Sequence, residues 1–366
     1  MRRGMGAAFA ALAAAVLALG SAPARAERVV NVFNWSDYVD PKVLADFTRE
    51  TGIKVVYDTF DSNEMLEARM LAGRTGYDVV APSATFLQRL IVAGVLQPLD
   101  RAKLPHASGL SPDIMGRLAA YDPGNRFAVD YMWFTTGIAF NRKKVEERLG
   151  AQPLDSWDVV FKPDSLKKLA DCGVYVLDSP EDMVAIALHH LKLDPNSKND
   201  ADLKRAFAVL ASVRSSIRKF HSSEYINALA SGDVCLAVGW AGDARQAADR
   251  AREAKNGVEI GYAVPREGTL MSFDALAIPK DAPHVEEAHA FIDYLMRPEV
   301  AARNTVVTHF ANPISAATPL LPRDVTGDPS TYPDAAMMAR LFTVAPRDQA
   351  SQKIVTREWT RLKSGR

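Results

Sequence analysis

The sequence predicts an α/β protein of two lobes that exchange strands, each lobe a mainly parallel sheet flanked by helices. Strand-like and helix-like stretches alternate through short loops, which is the signature of parallel strands covered on both faces. At 366 residues the chain is too long for one ordinary core and suits two. No repeat and no low-complexity linker separates two beads, so the halves are expected to share strands rather than follow one another.

The elements follow in order. Residues 1–26 read as a secretory leader: Arg2 and Arg3 begin it, residues 5–19 are apolar, and Ala24-Arg25-Ala26 is a cleavage site. The first strand is 29–33. Asp40-Pro41 supplies an N-cap and a first-turn proline for a helix that stops at Gly52. Strand 53–60, helix 62–73, strand 77–83 and helix 85–94 continue the alternation. After strand 135–141 and helix 142–149 come strand 172–178, a helix opening at Pro180, helix 224–232, strand 233–240 and helix 241–255. Strand 275–279 precedes a helix pair over 285–306 broken at Pro298, where the missing N–H and the ring clash forbid continuation. The expected division is 27–134 plus 275–311 for the first lobe and 135–274 plus 312–366 for the second. The hinge is expected near 133–137, 270–275 and 310–313.

Charge narrows the partners. Lysine plus arginine and aspartate plus glutamate number 44 each, and three of the arginines lie in the leader, so the exported chain carries a net charge of −3. That argues against nucleic acid, which needs clustered cations. Two cysteines, Cys172 and Cys235, suit one disulfide in an exported chain, with two separate thiols as the alternative. Neither the cysteines nor a C-x-x-C spacing supports a metal site, and no cofactor is expected.

In open parallel sheets ligands bind beyond the carboxyl ends of the strands. Trp35, Ser36, Asp37 and Tyr38 follow the first strand, and Ser83 and Thr85 the third. Ser179, Glu181 and Asp182 follow a strand in the second half, as do Trp240 and Asp243, while Asp274 precedes the strand at the second crossover. Singly, each has a plain explanation, such as helix capping or complementing a helix dipole. Together they gather acids and indoles with no lysine or arginine beside them in sequence. Carboxylates brought together want a cation, and an organic ammonium also profits from ring faces. One ion pair at about 4 Å contributes ~4 kcal/mol at an effective dielectric of 20, much of it offset by desolvation. A linear diamine meets both requirements.

The stretches "NWSDY", "TGIKVVYDTFDSNE", "GYDVVAPSATFLQRL", "AGVLQPLD", "YMWFTTGIAFN", "CGVYVLDSPED", "FHSSEYINALASGDVCLAVGWAGDA", "AKNGV" and "AATPL" resemble the periplasmic solute-binding components of bacterial polyamine ABC importers, over essentially the whole exported chain. The resemblance implies a two-lobed, type II "Venus flytrap" fold without enzymatic activity. It implies a periplasmic monomer that takes putrescine or a related polyamine and delivers it to an inner-membrane ABC permease. Trp35, Ser36, Asp37, Tyr38, Ser83, Asp182, Trp240, Asp243 and Asp274 are then ligand contacts, and Cys172 and Cys235 a disulfide. Departures from the family pattern are Asp182 for a usual glutamate, Ser272 for a bulky aromatic and Phe310 for a tyrosine. Thr85, Ser179 and Val344 occupy positions that tune length preference without settling it; putrescine is the favoured cargo, and the aromatic wall lost at Ser272 opens room for a longer amine such as spermidine.

The rival classes find less support. No G-x-S-x-G, H-E-x-x-H or P-loop appears, and His189 and His190 are adjacent, so they cannot share a helix face as paired ligands. A sensor on the same fold would carry the same residues. An amino acid as cargo would need a cation for its carboxylate, and none stands at the strand ends.

Overall fold

The computed structural model describes residues 27–365, so the expected leader, 1–26, lies outside the described residues. The strands are β1 (Val29–Trp35), β2 (Lys54–Phe60), β3 (Val79–Val80), β4 (Leu96–Gln97), β5 (Ala128–Asn141), β6 (Val174–Val176), β7 (Lys219–Phe220), β8 (Leu236–Trp240), β9 (Ile260–Ala263) and β10 (Met271–Pro279). They form one path, β2-β1-β3-β10-β5-β8-β6-β7, with β4 on β10 and β9 on β5.

Two long strands make that path continuous. β10 pairs antiparallel with β5 from Met271↔Thr135 to Ala277↔Ala128, and beyond that point β5 pairs with β8, Thr136↔Trp240 to Phe140↔Leu236. β5 thus leaves one lobe and enters the other. The sheets are accordingly mixed. β1–β2, β1–β3, β6–β7 and β6–β8 are parallel, whereas the two crossover strands run antiparallel to their neighbours. Only the second half of β5 is apparent in the sequence. Nearly every residue of 128–141 is buried, so the polar/apolar alternation that marks a half-buried strand is missing.

Local chemistry explains the helix ends. Asp40 accepts from the Lys42 N–H at 2.8 Å ahead of Pro41, and Gly52 closes the Pro41–Thr51 helix with φ 69°. Pro298 separates the Val285–Leu295 helix from Pro298–Thr308, as expected.

Burial separates two apolar cores. One gathers Val30, Phe47, Leu87, Phe273 and Phe291; the other gathers Ile138, Trp157, Val184, Tyr225 and Val238. The stretch 312–366, expected wholly in the second lobe, is divided between them. Ile314, Ala317, Leu321 and Leu341 pack in the first core, while Val355, Trp359 and Leu362, the inward stripe of the Gln349–Ser364 helix, pack in the second. Cys172 and Cys235 are joined by a disulfide that ties the segment before β6 to the start of β8 within the second core.

Candidate functional site

Where the two lobes meet, two adjoining cavities share Trp35, Asp61, Ser83, Phe134, Ser222 and Trp240. The inner one adds Ser36, Tyr38, Asp243, Asp274 and Phe310. The outer one adds Thr85, Ser179, Glu181, Asp182, Ser272 and Val344.

The walls are aromatic. Trp35 ends β1 and is fixed by its indole N–H, which donates to the Ala81 carbonyl at 3.0 Å. Trp240 ends β8, and its ring meets Trp35 edge-on at 5.8 Å between centroids and Phe134 likewise at 5.8 Å. Phe310 packs edge-on against Tyr38 at 4.7 Å and Phe134 at 5.2 Å. These rings present faces and edges from both lobes.

The acids are buried and individually held. Asp274 lies at a β-bulge of β10 and accepts from the Ser83 hydroxyl at 2.6 Å, which itself accepts from Asn63 at 2.9 Å. Asp243 stands in the first turn of the Ala241–Ala254 helix and accepts from the Tyr225 hydroxyl at 2.5 Å. Asp182, in the first turn of the Pro180–His190 helix, accepts from Ser179 at 2.7 Å, Thr136 at 2.8 Å and the Trp240 indole at 3.3 Å. Burial pushes Asp243 and Asp274 up to about 7, against the relief that Tyr225 and Ser83 give them, and it raises Asp182 too. Neighbouring acids add to the rise: Asp37 and Asp274 for Asp243, Asp182 for Asp274. Such a set is suited to a buried cation, which restores the ionised carboxylates.

The structure moves one expected contact. Asp37 lines neither cavity; it is exposed, takes the left-handed conformation with φ 56°, and pairs with Arg250 of the Ala241–Ala254 helix at 2.9 Å. The turn after β1 points Trp35 and Tyr38 inward and Asp37 out, so it ties the lobes at the rim. Gln246 adds a second tie, donating to the Asp37 carbonyl at 3.3 Å. Arg250 gives Asp37 a basic partner remote in sequence, which a local scan does not reach. Ser36 lines the inner cavity yet is itself exposed.

Other contributors differ in how far the sequence shows them, and Glu181 is one already read at a strand end. Glu181 accepts from Thr85 across the cleft at 2.6 Å, lies 3.7 Å from Arg89 and is pushed by burial up to about 7. Asp61 and Asn63 follow β2, a strand end that the sequence reading did not single out. Phe134 lies within β5 and Tyr225 within a helix, positions that no strand-end rule reaches.

The chain is similar to known proteins over nearly its whole length. The family description "Bacterial extracellular solute-binding protein" matches residues 42–333. The putrescine-binding periplasmic protein PotF of Escherichia coli (strain K12) is 48% identical over 358 residues, covering 97% of each chain. The putrescine-binding periplasmic protein SpuD of Pseudomonas aeruginosa (strain UCBPP-PA14) is 47% identical over 367 residues and the full length of both. Among solved structures, the spermidine/putrescine ABC transporter substrate-binding protein PotD from Streptococcus pneumoniae superimposes with TM-score 0.76 at 28% identity, covering 92% of this chain and 99% of its own.

Proposed function

The chain belongs to the bacterial extracellular solute-binding proteins, and from that membership we propose that its cleft captures a linear polyamine, putrescine foremost, in the periplasm for delivery to an inner-membrane ABC permease. What supports this reading is that both lobes contribute buried acids to two adjoining cavities, Asp274 from the first and Asp243 and Asp182 from the second, with Trp35 and Trp240 lining both.

One ammonium sits between Asp243 and Asp274, with the Tyr38 phenol and the Phe310 ring beside it. The methylenes run along Trp35, Phe134 and Trp240. The second ammonium reaches Asp182, and a longer amine continues toward Ser272, Thr85, Ser179 and Val344. Ligand first meets one lobe, and closure adds the other lobe's acids; only this difference between states lets the ligand shift the equilibrium. The hinge lies near 133–137, 270–275 and 310–313, where β5 changes partners and Trp133 bridges Ala311. The protein acts as a monomer and releases its cargo chemically unchanged.

Isothermal calorimetry with putrescine, cadaverine, spermidine, agmatine and glutamate tests the proposal. Putrescine is expected to bind at micromolar or tighter, about −8 kcal/mol, and glutamate not at all. Glutamate binding, or silence toward every amine, contradicts it.

A further inference from the structure

Outside the cleft lies a groove of about 660 Å³ whose charged residues, among the described residues, are all cations: Arg89, Arg347, Lys353, Arg357 and Arg361. Resting on the function proposed above, we infer that this groove is the surface by which the closed protein docks on an acidic segment of the permease's periplasmic face.

The groove belongs to both lobes. Arg89 projects from the Ala84–Val92 helix, whose Leu87 and Leu90 pack in the first core. The other four cations lie on the Gln349–Ser364 helix, which packs in the second core through Val355, Trp359 and Leu362, and just before it. Its two walls therefore come together only when the lobes do. Arg89, which is paired with Glu67, also links the groove to the ligand site. Glu181 lines the outer cleft cavity, accepts from Thr85, and lies 3.7 Å from Arg89. Closure around cargo thus completes a surface that a partner outside can read.

The helix pattern points the same way. Lys353, Arg357 and Arg361 repeat at four-residue spacing, which stacks like charges along one exposed line and weakens an isolated helix. Glu358 pairs with Arg357 at 2.9 Å and Arg361 at 3.4 Å, but among the described residues Lys353 has no acid within 4.0 Å. With one acid shared by two arginines and none beside Lys353, the line keeps an excess of positive charge that a complementary anionic surface would offset. A protein partner fits better than a membrane because a lipid surface has no use for a groove that forms on closure.

The test uses two triple variants, K353Q/R357Q/R361Q and K353E/R357E/R361E. Calorimetry comes first: both are expected to bind putrescine within about twofold of the unaltered protein, because the sites are separate. Radiolabelled putrescine uptake is then measured in the source bacterium lacking its chromosomal copy and supplied with each form. The neutral variant is expected to lower uptake about tenfold and the reversed one further, as charge complementarity at an interface requires. Unchanged uptake overturns the proposal. Variant-sensitive binding to phosphatidylglycerol vesicles also overturns it, assigning the stripe to lipid. If the unaltered protein binds no putrescine, the failure lies with the proposed function and not with the docking surface.

Discussion

Asp274 and Asp243 line one cavity, each bonded to its own hydroxyl, Ser83 and Tyr225, and the charge of Asp274 adds to the cost of ionising Asp243. Asp274→Asn removes one of them and is expected to weaken putrescine binding by about 30-fold or more, since deleting one partner of a buried charge pair costs ~2–5 kcal/mol. The ligand-free variant should melt no lower than the parent, and a matching loss of stability would show a structural role instead. Asp37→Ala should behave differently. Its pair with Arg250 is half exposed, worth ~0.2–1 kcal/mol, so calorimetry should find less than about a tenfold loss. The pH response follows from Asp243 and Asp274, raised from 3.8 to about 7. A carboxyl whose native pKa exceeds its unfolded one weakens the native state as pH rises from the lower value to the higher, and fully so above it. A bound dication restores the ionised form and cancels that loss. The rise in Tm on adding putrescine should therefore be larger at pH 8 than at pH 5, read by scanning fluorimetry; a rise larger at pH 5 would contradict the assignment. The strand-end rule makes Trp35, Ser83, Trp240 and Asp243 legible in sequence, whereas Asp274, expected just before a strand, lies inside β10. The rule cannot tell that the turn after β1 aims Asp37 outward, because that depends on one left-handed residue and on an arginine more than two hundred residues away.

At the scale of elements, the start of the Ala241–Ala254 helix approaches Phe310 so closely that a Cβ on Gly242 would lie 2.3 Å from its ring. Gly242→Ala must displace Phe310 from the inner cavity or shift the helix that carries Asp243. Overpacking of this kind costs ~1–3 kcal/mol, and a loss of putrescine affinity of about tenfold or more is expected by calorimetry. The Cys172–Cys235 disulfide closes a loop with a sequence separation of 63, which stabilises by about 4 kcal/mol in the chain-entropy model. It lines neither cavity, so reduction should lower Tm while leaving putrescine affinity of the folded protein nearly unchanged. Most helices are legible from caps and prolines, as at Asp40-Pro41 and Pro298. The short β4, β7 and β9 and the first half of β5 are not, because two- to four-residue strands and strands buried on both faces carry no alternation.

Across the whole molecule, two separate cores are joined by β5 and β10, and the hinge proposed at that crossover would leave each core packed, so that the energy of closure would reside in the cleft. That two lobes share strands is readable from chain length and alternation. The assignment of residues 314–341 to the first core is not, since those apolar residues would suit either side. The proposed cargo carries charge at both ends of an aliphatic chain, and the decisive comparison is therefore calorimetric titration with putrescine against n-butylamine, which keeps the methylenes and one ammonium. Putrescine should bind at least about 100-fold more tightly, as loss of an ion pair that leaves a buried acid unpaired demands. Equal affinity for the two amines would contradict a cleft whose opposed carboxylates each hold one end of the ligand.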